Sequence, residues 1–381
     1  MGRIRVLHAV TVSKSLKLMK GQLSYLKKLG YEVSVISSPG KEIDTFAEME
    51  KVNIEQIKMA REISPLSDII SLIKIIRFLL KYRPHIVNTG TPKAGLLLSV
   101  AAWLTRVPIR IYTVRGLKLE TASGYTRKIL SFTERIACLC SHRIIAVSES
   151  LRKRMIELRL APKEKIVVLG SGSSNGIQVS RAQELSKMNV DINVEPDSFK
   201  IGFVGRITKD KGIIELLQAF RNLRKKYHNI KLVILGDFET GDPIPNSERR
   251  YIETDPNILF LGFQQNPFPY YKFMNIFVLP SHREGFANVC LEAALMGLPI
   301  ITTNATGAID TVIDGKTGLI YEVGNVKQLE EKIEFLIINP EIRKKMGIEG
   351  KKWVTKEFSS ERIWNGLDNL YKALLKEKGL E

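Results

Sequence analysis

The sequence is poor in several features that would mark other protein classes. Only three of its 381 residues are cysteine: Cys138, Cys140 and Cys290. Three thiols cannot staple a chain of this size, and Cys138-x-Cys140 has no second Cys or His pair at zinc spacing. A disulfide scaffold and a zinc module are therefore excluded, and free thiols in a reducing compartment are expected. Long apolar runs are missing too. The most apolar uncharged one, residues 94–105, has 12 residues, against the roughly 20 that a membrane span requires. The opening residues enter a strand-like pattern at once, with no apolar signal-peptide core. No internal repeat or low-complexity tract stands out. What remains, 44% apolar and 26% charged residues, suits a soluble globular chain with sizeable cores, and the length suits two domains.

Charge is abundant but uneven. The net charge is +18; residues 1–190 hold 32 Lys and Arg against 14 Asp and Glu, whereas residues 191–381 hold 26 of each. Such asymmetry points to a polyanionic partner for the first half, either nucleic acid or an anionic membrane surface. Residues 66–83 read as one very apolar helix, with Lys74, Arg77 and Lys81 at i, i+3 and i+7 on one stripe. A helix of this kind can lie in the headgroup plane. A core helix with a solvated basic edge would carry the same pattern. No helix-turn-helix, zinc finger or aromatic RNA-binding motif is present, so no nucleic-acid partner is expected and the membrane is favoured.

Short β-branched runs recur at 4–10, 32–37, 85–89, 109–114, 143–148 and 165–169, then at 200–205, 231–236, 258–262, 276–280 and 299–303. Helical patterns lie between most of them, for example at 22–28, 66–82, 126–140 and 213–227. This alternation predicts an α/β protein with two doubly wound parallel-sheet domains, each with its crevice at the carboxyl ends of its strands. The expected divisions are a first domain over 1–175, a linker over 176–198, a second domain over 199–358 and a closing amphipathic helix within 359–381. That helix would start at Ser359 or Ser360 and turn Ile363, Leu367, Leu370, Tyr371 and Leu374 to one side.

Three loops could carry chemistry. Gly170-x-Gly172-x-x-x-Gly176 has glycines like a dinucleotide fingerprint, but the following Ile177-Gln178-Val179-Ser180 does not read as a helix, so a hinge is expected. The strand ending at Gly205 runs into Arg206 and then Lys211-Gly212 before a helix. Gly205 permits close backbone approach, and two cations with a helix start could clamp a diphosphate, although a solvated basic loop would also fit. The third stretch is Pro280-Ser281-His282-Arg283-Glu284-Gly285-Phe286-Ala287-Asn288, with a helix expected from near Phe286. Glu292 then falls among Val289, Leu291, Ala293 and Leu295. A carboxylate among apolar neighbours needs a polar partner or a ligand, and it can accept from two vicinal hydroxyls at once.

The pair Glu284 and Glu292, within Pro-Ser-x-x-Glu-Gly-Phe and Leu-Glu-Ala, resembles the signature of glycosyltransferase family 4, retaining nucleotide-sugar transferases of GT-B fold. Gly205-Arg206 with Lys211-Gly212, Phe260-Leu261-Gly262-Phe263, Met296-Gly297-Leu298-Pro299 and Asp314-Gly315-Lys316-Thr317-Gly318 continue the resemblance in order. It implies two Rossmann-like domains facing a central cleft, with the last helix crossing back to the first domain. It implies a UDP-sugar donor, an N-acetylhexosamine being one candidate, as co-substrate without a further cofactor. Arg206 and Lys211 would neutralise the diphosphate, and Glu292 would bind the ribose. Glu284 would bind the transferred sugar and steady the positive charge developing on its ring. Amides of Gly285, Phe286, Ala287 and Asn288 would hold the β-phosphate, and the strand end at Phe263 would hold the base. With no Asp-x-Asp in the sequence, metal-free chemistry is expected, no metal site is assigned, and the donor phosphate would take the acceptor's proton.

The first half resembles the family more loosely. Arg115, in Thr113-Val114-Arg115-Gly116, stands where many members carry His. With Lys118, Lys93 and the loop around Gly21 it suits an anionic acceptor. This style of domain resembles enzymes that extend undecaprenyl-diphosphate-linked sugars in capsule, O-antigen and glycan-precursor assembly. The expectation is a peripheral enzyme on the inner face of the cell membrane, transferring a sugar to a polyprenyl-diphosphate-linked saccharide. A soluble nucleotide-sugar 2-epimerase or phosphorylase, and a catalytically silent membrane scaffold, are the alternatives on the same fold.

Overall fold

The computed structural model describes residues 3–60, 64–190, 192, 195 and 197–380. Part of the expected linker at 176–198 therefore lies outside the described residues. The chain forms two compact units, one running to Asn175 and resuming at Ser360, the other comprising Gly176–Ser359.

In the first unit the order is β1 (Arg5–Ala9), α1 (Gln22–Lys28), β2 (Glu32–Ser37), α2 (Ile43–Glu50), β3 (Asn53–Gln56), α3 (Pro65–Tyr82) and β4 (Ile86–Thr89). Then come α4 (Pro92–Leu104), β5 (Ile109–Val114), α5 (Gly124–Cys140), β6 (Arg143–Ala146), α6 (Glu149–Glu157) and β7 (Ile166–Val167). All seven strands are parallel, in the order β3-β2-β1-β4-β5-β6-β7. Successive side chains of a strand point to opposite faces. Val6 accordingly packs with Leu23, Leu26 and Phe46 from α1 and α2, while Leu7 packs with Ile75 and Leu79 of α3 and Leu98 of α4. Both faces of the sheet are covered, which is why its strands read as continuous apolar runs.

The second unit contains α7 (Val179–Ser186), β8 (Phe199–Val204), α8 (Ile213–Arg224), β9 (Ile230–Leu235), α9 (Asn246–Thr254), β10 (Ile258–Phe260), α10 (Phe268–Tyr271) and β11 (Ile276–Leu279). It closes with α11 (Asn288–Leu295), β12 (Ile300–Thr303), β13 (Gly318–Tyr321), α12 (Val326–Ile338) and α13 (Pro340–Glu357). Its six parallel strands run β10-β9-β8-β11-β12-β13. The last helix, α14 (Ser360–Glu377), belongs to the first unit. There Leu367, Tyr371, Leu374 and Leu375 join the core beside Leu23 and Leu26, and Tyr31 donates a hydrogen bond to Asp368 at 2.8 Å.

Four elements differ from the sequence reading. The edge strands β3 and β13 were not expected as strands. Residues 177–180, read as non-helical, lead into α7: Val179 and Ser180 are weak helix formers, but Ala182, Gln183, Glu184 and Leu185 follow, and the helix packs on α10. The helix expected from near Phe286 begins at Asn288, because Ala287 still has non-helical backbone angles.

The strand orders place the crevices. In each sheet the chain reverses its winding direction at one point, between β1 and β4 in the first unit and between β8 and β11 in the second. Ligands of open parallel sheets bind outside the carboxyl ends of such strands.

Candidate functional site

The loops that follow β8 and β11 meet at the second switch point. Lys211, at the end of the first loop, donates to Glu284 Oε1 of the second. Both side chains are largely buried, 14% and 13% exposed. Neither charge could remain there without the other or an equivalent ligand. Two glycines make the approach possible. Gly212 has φ 68°, and a Cβ there would lie 2.0 Å from the carbonyl oxygen of Pro280. Gly307 has φ 73°, and a Cβ there would lie 2.4 Å from the carbonyl oxygen of Gly285.

Asp210 sews the loops together, a role that sequence reading missed. Its carboxylate accepts from Thr208 Oγ1 at 2.6 Å and from Arg283 Nη2 at 2.8 Å. Its carbonyl oxygen accepts from the His282 amide at 2.9 Å. Burial pushes the Asp210 carboxyl up, but Thr208 and the charges of Arg283, Arg206 and Lys211 outweigh it and hold it below its usual range. His282, named as part of the loop, turns its Nε2 to Glu215 Oε1 at 2.7 Å. That bond raises the imidazole above its ordinary pKa against the opposing effect of burial.

Arg206 lies at the more open side, its side chain 45% exposed, with Nη1 donating to Glu239 Oε2 at 2.7 Å. Gly205 offers room: a Cβ there would touch only Phe203, at 3.4 Å. Glu292, in the second turn of α11, accepts from the hydroxyl of the fully buried Tyr271 at 3.0 Å. The expected polar partner of this carboxylate is thus partly supplied from α10. Phe263 presents an exposed ring, and its amide donates to Asp237 Oδ1 at 3.1 Å. Of the amides expected to face a phosphate, Ala287 donates to Gly307 O at 3.3 Å and Asn288 to Phe286 O at 3.0 Å. Those two are engaged within the chain. Arg206, Lys211, Glu284 and Asp210 form one charged network, while Glu292 with Tyr271 and the Phe263 ring stand as separate groups of the same unit.

The first unit has a second polar centre at its own switch point. Thr11 after β1 and Thr91 after β4 join hydroxyls at 2.7 Å. Gly21 donates its amide to Glu50 at 2.5 Å, and Lys93 pairs with Asp68 at 2.5 Å. Both expected acceptor residues therefore have partners within the chain. Lys118 is exposed. Arg115 donates from Nη1 to Ser174 O at 3.0 Å, yet its Nε is buried without a hydrogen-bond partner, as is Thr89 Oγ1 at the end of β4. Burial lowers the Arg115 pKa to about 10. Burial and the Arg115 charge press His8, on β1, down to about 3, so that His8 is a neutral imidazole.

Two parallel-sheet units, the second with a cation–carboxylate network at its switch point, define a doubly wound α/β protein. Residues 186–353 match the family model for glycosyl transferases group 1, and residues 19–172 match that for a glycosyl transferase 4-like domain. A capsular polysaccharide biosynthesis glycosyltransferase of Staphylococcus aureus, CapM, is 46% identical over 375 residues, covering 98% of each chain. A UDP-galactose:GlcNAc-diphosphoundecaprenol galactosyltransferase of Escherichia coli is 26% identical over 275 residues, 70% of each. The crystal structure of Anabaena HepE in complex with UDP superimposes with a TM-score of 0.77 at 17% identity, covering 98% of this chain and 100% of that one. The chain belongs to the group 1 glycosyl transferases, with a glycosyl transferase 4-like first domain and the GT-B fold, and it is a glycosyltransferase.

Proposed function

We propose that this glycosyltransferase moves a sugar, with retention of anomeric configuration and without a metal or further cofactor, from a UDP-sugar to a polyprenyl-diphosphate-linked saccharide in surface polysaccharide assembly. The observation that carries this reading is the Lys211–Glu284 pair, buried where the loops after β8 and β11 meet. At rest each group neutralises the other. A bound donor offers each a new partner: phosphate oxygens for Lys211, sugar hydroxyls for Glu284. Arg206 supplies the second cation toward the diphosphate. Glu292, positioned by Tyr271, takes the ribose hydroxyls, and the exposed Phe263 marks the strand end for the base. The amides of Gly285, Phe286, Ala287 and Asn288 serve the β-phosphate, those of Ala287 and Asn288 by exchanging their bonds within the chain.

In the transfer step the acceptor hydroxyl oxygen bonds to the anomeric carbon on the face from which UDP departs. The carbon–oxygen bond to the β-phosphate breaks with its electron pair going to that oxygen, which takes the hydroxyl proton. Negative charge grows on the diphosphate, where Lys211 and Arg206 are in place in advance. Positive charge grows on the ring, where Glu284 can steady it.

A polyanionic acceptor suits the first unit. The unpartnered Nε of Arg115 and Oγ1 of Thr89 sit at the ends of β5 and β4, and the relatives include a protein named for a diphosphoundecaprenol substrate. The capsule relative at 46% identity supports a polysaccharide role. The reading puts the enzyme on the inner membrane face. No described helix is long and apolar enough to cross a membrane. Two measurements test the chemistry. Product NMR should show the donor's anomeric configuration, and transfer should persist in chelator. An inverted product or a trapped glycosyl ester on Glu284 would overturn the step as written.

A further inference from the structure

The first unit displays its large apolar side chains to water in one region. Among the described residues, every one of them more than half exposed lies on α3, α4 or α5. These helices are neighbours, with α4 packed against both α3 and α5. On α3, Ser71, Ile75 and Leu79 face the protein. The opposite side carries Leu66, Ile69, Ile73 and Leu80 on one stripe and Lys74, Arg77 and Lys81 beside it, all exposed. On α5, Tyr125, Phe132 and Leu139 follow at i, i+7 and i+14 and are 79%, 65% and 76% exposed. Exposed Lys128 and Arg135 are interleaved at i+3 and i+10. Trp103 and Leu104 end α4, both more than half exposed. A surface helix ordinarily turns a polar face to water. These helices turn out apolar and cationic side chains together.

Acids are almost missing from this layer. Asp68 is the one acid of α3 and is paired with Lys93; Glu134 is the one acid of α5 and lies buried against the Tyr112 hydroxyl at 2.9 Å; α4 has none. The cationic stripe of α3 also lines an open pocket of about 650 Å³ with Arg5 and Tyr82, which Glu32 and Glu55 share.

We propose that the outer faces of α3, α4 and α5 form one docking surface for an anionic lipid bilayer. The apolar side chains enter the boundary between headgroups and acyl chains, and the Lys and Arg side chains reach back to lipid phosphates. Charge complementarity selects this occupant. A second copy of the chain would set cation against cation, whereas anionic headgroups match the face at every cationic position. The proposal rests on the lipid-linked acceptor reading in one respect, that the first unit must work at the membrane. The candidate acceptor residues share its elements: Lys93 is in the first turn of α4, and α5 follows the Arg115–Lys118 loop.

The test is sedimentation of the full chain with vesicles of phosphatidylcholine alone and of phosphatidylcholine with phosphatidylglycerol. The expected result is binding to the mixed vesicles, with about a fivefold loss for each of Lys74→Gln, Arg77→Gln and Lys81→Gln. The double variant Phe132→Ser, Leu139→Ser should lose binding even where the charges are intact. Brominated lipid should quench the native chain's tryptophan fluorescence, and Trp103→Phe should abolish that quenching. UDP affinity by calorimetry should be unchanged in every variant, which shows that each folds. No binding to anionic vesicles, variants that bind as the native chain does, or a surface that instead mediates self-association in ultracentrifugation would each overturn the proposal. Transfer to a water-soluble acceptor analogue separates the two readings: its failure with vesicle binding intact faults the chemistry alone.

Discussion

Lys211 and Glu284 hold each other in a site neither could occupy alone, and their separate removal should have different consequences. Glu284→Gln should lower kcat by roughly 100- to 1,000-fold, the range for removing an electrostatic stabiliser of a transition state. UDP affinity should hold or rise, since Lys211 is then freed for phosphate. Lys211→Ala should instead weaken UDP binding roughly 10- to 100-fold, as loss of a charge-assisted hydrogen bond does. Arg206→Ala should weaken it less, because Arg206 is half exposed and screened. Calorimetry with UDP, beside a transfer assay, distinguishes these outcomes. The buried His8 makes a second residue-scale prediction. Its folded pKa of about 3 lies below the ordinary 6.5, so the unfolded chain binds the extra proton between those values. Stability therefore falls as pH drops from 6.5 toward 3. The difference between the native chain and His8→Asn, measured by denaturant titration, should change by about 1.4 kcal/mol per pH unit in that window. A difference independent of pH would mean His8 is not held neutral.

The elements of the two sheets were legible in the sequence wherever a strand is buried on both faces. β1, β4, β8 and β11 show continuous β-branched or apolar runs because helices cover them on each side. β3, Asn-Ile-Glu-Gln, is an edge strand with three exposed residues and no such run. The segment of β13 was recognised as a motif without its strand character. The site divides in the same way. Glu284, Glu292, Arg206 and Lys211 stand out as charges in loops and apolar stretches. Asp210, Glu239 and Tyr271 do not, because their roles depend on contacts with Arg283, Arg206 and Glu292 that only the fold creates. The exposed stripe of α5 was equally hidden, since a helix pattern does not say which face meets the sheet. At this scale the loop packing makes its own prediction. Gly212→Ala adds a Cβ where Pro280 O already lies and forces a left-handed backbone on alanine. It should cost about 1–3 kcal/mol, lower Tm, and loosen UDP binding. An unchanged Tm would show that the two loops are not packed as described.

At the scale of the whole molecule, the basic excess and the charged network of the candidate site lie in different units. Of the net charge of +18, +17 belongs to the first unit, whereas Lys211, Glu284 and Glu292 belong to the second. The closing helix ties the chain's end to the first unit, with Tyr371 and Leu374 in its core. Truncation before Ser360 should therefore expose that core and yield aggregated protein rather than a folded enzyme, as size-exclusion chromatography would show. Membrane association should fall with salt, because cationic contacts with headgroups are screened within a Debye length of about 10 Å at 0.1 M. The measurement that tests the central claim most directly is nucleotide release from a panel of UDP-sugars, with and without a membrane lipid extract. The account predicts release that requires both one particular sugar and the lipid fraction, and that is lost in Glu284→Gln. Conversion of a UDP-sugar that proceeds equally without lipid would contradict it.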